Sequence, residues 1–194
     1  MKKIIFSSTF ILLFSSLSYS QNSTRSINPS YRYVSNPGFV NITEINGATG
    51  LGDVTTENSK YYFGLTDIFG YQINRNFFGG AGAGYYFYDS GQLVPLFIES
   101  RYSIYLRRMT PYFYNDGGAL LKLDELRGGS KIFINPGIGM SRSLSSKFEG
   151  TFSIGLMVQM GISSPSTSFI NFKLGIIFRK NSFRLYKPQN INSF

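Results

Sequence analysis

The sequence predicts an all-β protein, an eight-stranded antiparallel up-and-down barrel that spans a membrane. Eight stretches alternate apolar residues with polar or small ones, which is the pattern of strands with one apolar face. Each stretch exceeds ten residues, whereas strands of soluble proteins average about 5 or 6 and a tilted membrane strand needs about 9 to 11. Aromatic residues make up 17% of the chain and charged residues only 15%, which favours strands over amphipathic helices.

The predicted strands are separated by turn signals and cover residues 39–51, 61–73, 77–88, 93–106, 111–123, 131–142, 148–163 and 169–179. The seventh is the most regular, because Leu156 and Val158 lie on one face while Ser153 and Gln159 lie on the other. The links after the second, fourth and sixth strands are brief, and those after the first and fifth are longer. Since outer-membrane barrels combine short periplasmic turns with longer outer loops, we expect the short links in the periplasm.

The two ends of the chain differ in composition from the predicted barrel at 38–180. Lys2 and Lys3 precede a short apolar stretch and the small residues Ser18 and Ser20, which predicts a secretory signal peptide over 1–20, cleaved after Ser20. Residues 21–37 are polar and are predicted as a flexible periplasmic lead-in. Residues 181–194 are predicted as a basic periplasmic tail. We therefore expect export to the outer membrane of a Gram-negative envelope.

Alternation alone does not say which face of a barrel points outward, because a soluble lipocalin-type barrel has the same period. Glu99, Arg101 and Lys173 lie in mid-strand on polar faces, where a narrow lumen can pair them, so the apolar faces should contact lipid. Only a closed sheet satisfies its backbone groups in hydrocarbon, and an even strand number closes it. Aromatic residues near strand ends suit the two membrane interfaces: Tyr61, Tyr85, Phe87, Tyr102, Tyr112, Phe148, Phe152 and Phe178.

Three residues fit a regular membrane strand badly. Asp67 shares the parity of Leu65 and Phe69, and a charge facing lipid near mid-depth costs roughly 2 kcal/mol. We therefore expect a bulge or register change over 67–70 that turns Asp67 inward. Pro95 and Pro136 each remove a backbone donor from a predicted strand, so we expect bulges or strand ends at these two positions.

The last predicted strand contains Lys173-Leu174-Gly175-Ile176-Ile177-Phe178. A polar residue, a glycine and an aromatic residue have the spacing of the β-signal, a motif in the last strand of outer-membrane barrels. On this pattern, the region 38–180 resembles small outer-membrane β-barrel proteins of the OmpA/OmpX-like, porin-like class. The resemblance implies that Lys173, Gly175 and Phe178 are read by the barrel-assembly machinery during biogenesis. Because the chain continues past Phe178, the final Phe194 is a second candidate for the aromatic end of the signal.

The charged residues on the polar faces predict a structural network in the lumen. Glu99 and Arg101 are two residues apart on the fourth strand, and Lys173 points inward from the eighth. Inward charges must pair, because their desolvation without a partner is costly. We expect Glu44 and Glu149 to join this network, although Glu44 shares its parity with the apolar Val40 and Ile42.

The composition argues against catalysis and cofactors. The chain contains neither histidine nor cysteine, which removes Ser–His and Cys–His pairs and the common zinc ligand sets. A mechanism based on carboxylates alone would have to use Glu44, Glu99, Asp116 or Glu149. The glycine run 79–84 leads into a strand rather than a helix, so it predicts no nucleotide loop. We expect no enzyme activity, no catalytic or metal site and no cofactor.

The sequence favours a structural role in the envelope, with a lumen filled by side chains. The alternatives are a narrow pore or small-molecule conduit and a secreted, lipocalin-like lipid-binding barrel. Outer-membrane lipid is the expected partner, nucleic acid is not, and a monomer is favoured. Basic residues fall mainly at the predicted periplasmic end and are interpreted as a solvated rim: Arg75, Arg107, Arg108, Lys147, Arg179, Lys180 and Arg184.

Overall fold

The structure is a computed structural model that describes residues 32–34, 37–51, 60–89, 91–106, 109–122, 130–161, 166–180 and 184–186. The predicted signal peptide, most of the predicted lead-in and tail, and most residues of the two longer loops lie outside the described residues. Within the described ranges, no helix has the length and apolarity needed to cross a membrane.

Ten strands form in chain order. They are β1 (Arg32–Val34), β2 (Gly38–Gly50), β3 (Tyr61–Gln72), β4 (Phe77–Tyr88), β5 (Gly91–Ser103), β6 (Thr110–Leu121), β7 (Lys131–Ser143), β8 (Phe148–Gly161), β9 (Thr167–Arg179) and β10 (Arg184–Tyr186). Strands β2 to β9 correspond to the eight predicted strands, with ends that differ by at most a few residues. Their length follows from the long unbroken alternation in the sequence.

Strands β2 to β9 close into one barrel in which each strand pairs antiparallel with its neighbour in the chain. The seam joins β9 back to β2, from Val40 opposite Arg179 to Gly50 opposite Phe169. The predicted eight-stranded up-and-down barrel is therefore confirmed. Separately, β1 and β10 form a two-stranded antiparallel sheet, which lies in the segments that were predicted as lead-in and tail.

The apolar faces point outward and the polar faces point into the lumen. Leu156 is 43% exposed and Leu174 is 61% exposed, whereas Gln159 and Lys173 are each 1% exposed. This arrangement is the reverse of a soluble barrel, whose apolar face would fill the interior. The orientation expected from the mid-strand charges is confirmed.

The two ends of the barrel carry different connections. We call the end with the short links 73–76 and 144–147 the turn end, and the opposite end, where β2 ends and β3 begins, the loop end. Near the loop end the lumen contains a group of aromatic side chains. The Tyr62 ring lies 4.8 Å from Tyr86, 5.0 Å from Tyr88 and 5.4 Å from Phe169. Apolar side chains therefore fill part of the interior as well as cover the outside.

The prediction of a bulge at Asp67 is wrong. Pairing is unbroken on both sides of β3, with Asp67 opposite Thr43 on β2 and opposite Ala83 on β4. Asp67 consequently stays on the outer wall between Leu65 and Phe69. Its carboxylate accepts hydrogen bonds from outward-facing side chains of β2, so the strand does not need to turn the residue inward.

The prediction of bulges or strand ends at Pro95 and Pro136 is also wrong. Both prolines lie inside continuous strands and keep their register with β6. On the other side of each proline, the described pairing is interrupted for two residue pairs and then resumes in the same register. The missing proline N–H therefore breaks the ladder locally on one side without shifting the strand.

Glycines on the inward face make room for the crowded interior. A Cβ atom on Gly118 would overlap the Leu96 carbonyl oxygen and lie 2.6 Å from the Cα of Phe97. The neighbouring Gly117 faces outward, and a Cβ atom there would meet nothing closer than the Phe133 carbonyl oxygen at 4.0 Å. The two adjacent glycines of β6 thus differ in the space around them.

Substituting these two glycines tests the packing of the lumen. We expect Gly118→Ala to lower the free energy of unfolding by about 1–3 kcal/mol, because backbone atoms of β5 must move. Gly117→Ala should leave it unchanged or slightly raised, since alanine suits a strand better than glycine. Urea unfolding of both variants in detergent micelles measures this, and equal midpoints would contradict the packing described.

Candidate functional site in the barrel lumen

The central part of the lumen holds five ionisable side chains from four strands. They are Glu44 of β2, Glu99 and Arg101 of β5, Asp116 of β6 and Lys173 of β9. Each is at most 3% exposed. They converge because each occupies an inward parity position, including Glu44, whose inward neighbours Val40 and Ile42 are apolar. Glu44, Asp116 and Lys173 lie near the middle of their strands, and Arg101 reaches Glu44 from a position two residues before the end of β5. We call these five residues the central network.

Glu44 connects the two cations of the central network. Arg101 donates from Nη2 to Glu44 Oε1 at 3.0 Å. On the other side of the same carboxylate, Lys173 Nζ lies 3.2 Å from Oε2. Glu44 thus links the positive charges of β5 and β9.

The other two carboxylates each contact one cation. Arg101 donates from Nε to Glu99 Oε1 at 2.8 Å, and Lys173 donates from Nζ to Asp116 Oδ2 at 2.6 Å. Asp116 Oδ2 also accepts a hydrogen bond from Asn135 Nδ2 at 2.9 Å. Glu99 and Asp116 stand directly opposite each other on β5 and β6, and like charges in that position repel. The central network therefore has three carboxylates for two cations. Two of the carboxylates, Glu99 and Asp116, are close enough to repel each other.

Two tyrosines complete the surroundings of the cations. Arg101 lies over the Tyr112 ring with its Cζ 4.3 Å from the centroid, and Lys173 Nζ lies 4.5 Å from the Tyr114 centroid. Such contacts stabilise a cation most when water is excluded. The expectation that Tyr112 belongs to an interfacial girdle is wrong, because it shares the inward parity of Asp116 and Gly139 opposite it leaves room for its ring.

Glu149 does not join the central network. It lies nearer the turn end, where it accepts from Arg179 Nε at 2.5 Å and from Ser141 Oγ at 3.0 Å. Arg179 also donates from Nη1 to Gln72 Oε1 at 2.8 Å. We call these four residues the turn-end cluster. Arg179 was interpreted as part of a solvated rim, but it is 7% exposed and points into the lumen.

Little empty space remains between these groups. A cavity of about 10 Å³ is lined by residues that include Arg101, Tyr112, Gln72 and Arg179, which is close to the room that one water molecule requires. The central network, the turn-end cluster and the aromatic side chains near the loop end all lie inside the barrel.

The sequence identified Glu44, Glu99, Arg101 and Lys173, but it missed Asp116 as a partner of Lys173. Asp116 shares its inward parity with Tyr112, Tyr114 and Leu120, so that face looks apolar. The outward face of the same strand carries Asn115 and Gly117 and looks polar. The available signal was the carboxylate itself in the middle of a predicted strand, since a buried carboxylate requires a cationic partner.

The β-signal-like residues occupy both faces of β9. Lys173 and Gly175 point inward, and a Cβ atom on Gly175 would lie 2.8 Å from the Glu44 Cγ atom. Phe178 points outward and its ring centroid lies 5.4 Å from that of Phe148. The alternative end of the signal, Phe194, lies outside the described residues, and recognition by the assembly machinery stays a prediction.

The charged groups of the described lumen are arranged as ion pairs. Among the described residues, no group of three or more Asp, Glu, His or Cys side chains is arranged to hold a metal ion. Each carboxylate of the central network instead contacts an Arg or Lys side chain. The geometry supports a structural function for these charges.

The two glutamates of the central network should differ in importance. We expect Glu44→Gln to lower the free energy of unfolding by about 3 kcal/mol or more, because it weakens contacts with both buried cations. Glu99→Gln should cost less than about 1 kcal/mol, since it loses one contact but removes the repulsion with Asp116. Urea unfolding in detergent compares them, and a Glu99→Gln variant as unstable as Glu44→Gln would contradict this geometry.

Comparison with known proteins finds similarity in fold alone. No protein-family model and no curated protein matches the chain. The crystal structure of Neisserial surface protein A (NspA) is similar with a TM-score of 0.55 and 12% identity, covering 75% of this chain and 99% of that one. The N-terminal β-barrel domain of Pseudomonas aeruginosa OprF matches with a TM-score of 0.45, 15% identity and coverage of 74% and 100%. The chain therefore shares the fold of the small β-barrel of NspA.

Proposed function

We propose that the chain is an integral outer-membrane protein with a structural role in the envelope. The observation that carries this proposal is the orientation of the barrel. Large apolar side chains such as Ile98 and Leu174 are exposed on the outer wall, while the charges of the central network are buried inside. A soluble protein rarely exposes contiguous apolar surface on this scale, whereas lipid is a suitable solvent for it.

The dimensions of the outer wall support insertion into a bilayer. On β3, Tyr61 and Tyr71 are ten residues apart and both point outward at opposite ends of the strand. At about 3.3 Å per residue and a tilt of roughly 40°, they are separated by about 25 Å along the membrane normal, the height of the apolar band in known barrels. Aromatic side chains at both ends suit the two interfaces.

The filled lumen supports a structural role over a conduit. The central network joins β2, β5, β6 and β9 across the interior, and the turn-end cluster lies on one side of it. Aromatic side chains pack on the other side, near the loop end. Ion pairs that link opposite walls stabilise the closed barrel and occupy the route that a solute would need.

The short links at the turn end support a periplasmic orientation of that end, because outer-membrane barrels have short periplasmic turns. Basic residues lie at both ends of the barrel, where they can contact anionic groups: Arg75, Lys147 and Lys180 at the turn end, and Lys60, Lys122 and Lys131 at the loop end. The proposal includes export through a signal peptide, outer-membrane lipid as the surrounding partner, and folding by the barrel-assembly machinery through Lys173, Gly175 and Phe178. It includes no catalytic activity, since the sequence has no histidine or cysteine to form a nucleophile–base pair.

Single tryptophan probes test the proposal, because the chain has no tryptophan of its own. In vesicles, we expect the fluorescence of a Leu174→Trp variant to be quenched by lipids brominated on their acyl chains and not by aqueous iodide. A Tyr62→Trp variant, with its ring in the lumen, is the matched control and should resist both quenchers. Detergent-free solubility together with iodide quenching of Leu174→Trp would contradict membrane insertion and favour the soluble barrel.

A further inference from the structure

The outer wall carries an unusual charge near its mid-height. Among the described residues of the eight barrel strands, Asp67 and Arg142 are the charged side chains that face outward, and Arg142 lies next to the end of β7. Asp67 lies in the middle of β3 between the exposed Leu65 and Phe69. Ionisable residues at membrane depth are costly and usually have a partner, so their presence on a lipid-facing wall requires a physical reason.

The side chains next to Asp67 already use their hydrogen-bond donors, so this site offers only acceptors to an approaching group. Asn41 Nδ2 and Thr43 Oγ1 both donate to the same atom, Asp67 Oδ1, at 2.8 Å each. The Asn41 amide also donates to the Ile68 carbonyl oxygen at 3.3 Å. The donors of this cluster are therefore directed to Oδ1 and the backbone. Asp67 Oδ2 receives no hydrogen bond from the described residues, so the cluster presents a negatively charged, acceptor-only surface.

The wall beside Asp67 is recessed. The outward residues opposite Asp67 and Phe69 on β4 are Ala83 and Ala81, whose side chains are short. The larger side chains of Leu65 and Phe69 border this area on β3. A group from outside can therefore approach the Asp67 carboxylate closely, as small residues permit at helix interfaces in membranes.

We propose that Asp67 is a docking site within the membrane for a spanning segment of another protein that carries a Lys or Arg side chain at mid-depth. The inference rests on the proposed membrane insertion. An acceptor-only cluster with a negative charge is complementary to a cationic group with several N–H donors. Such a cation must come from a spanning segment, because lipid headgroups lie at the surface, about half of the 25 Å apolar band away.

A second copy of this chain fits the site less well. Its own Asp67 cluster offers the same acceptors, so two clusters facing each other would lack donors. Its outward Arg142 lies one residue from the end of β7, whereas Asp67 lies five residues from the end of β3. In parallel copies these groups differ in depth by about 10 Å, at about 3.3 Å per residue with a tilt of roughly 40°.

The test uses a designed helix as the partner. The purified chain and an apolar helix of about 20 residues with one central lysine are reconstituted in zwitterionic vesicles, and association is measured by energy transfer between dyes. A helix with leucine at the centre is the matched control. We expect about tenfold tighter association of the lysine helix, the size of a polar contact within a membrane. Asp67→Asn should abolish this preference.

A second variant controls for general effects on the outer wall. Asn115→Ala removes another outward polar side chain, on β6, and should keep the full preference for the lysine helix. Equal association of both helices with the inserted wild-type chain, or the same preference in Asp67→Asn, would overturn the docking site. If copies of the chain associate with each other through Asp67 and show no preference for the lysine helix, the proposed partner is wrong. Failure of the chain to insert would instead contradict membrane insertion itself.

Discussion

Closure of the sheet is the constraint on which the structure depends. The pairing of β9 with β2 leaves no strand of the barrel with a free edge. Backbone N–H and C=O groups can then find partners within the sheet, which is the condition for placing a sheet in hydrocarbon. Once the ring is closed, its outer wall can be apolar without exposing an edge to aggregation. Closure permits the reversed orientation of the side chains but does not require it, since soluble barrels are closed as well.

A closed ring of eight strands also limits what its interior can contain. The lumen is wide enough for side chains and little else, so each buried charge must find its partner across a few ångströms. The central network does this by placing Glu44 between Arg101 and Lys173. The glycines on the inward faces of β7 and β8 provide the space for tyrosine rings beside the cations. Charge pairing and small residues together allow charged and aromatic side chains to share the narrow interior.

The strands and the inward direction of Glu99, Arg101 and Lys173 could be predicted from the sequence. Side chains alternate between the two faces of a strand whatever the strand packs against. The exceptions depend on neighbours that are distant in sequence. Asp67 stays outward because β2 supplies two donors, and Tyr112 turns inward because β7 has a glycine opposite it. The separation of Glu149 from the central network is set by height along the barrel, which requires the strand register. The sequence pattern gives parity but not register.

A disulfide across the seam between β2 and β9 tests barrel closure most directly. Ile45 and Leu174 are opposite each other on these strands and both point outward, and the chain contains no native cysteine. Paired residues on adjacent strands lie within the Cα separation that a disulfide accepts. Oxidation of the Ile45→Cys, Leu174→Cys double variant in vesicles should produce an intramolecular crosslink in nearly all folded chains. An absence of crosslinking, or crosslinks only between chains, would show that the sheet does not close.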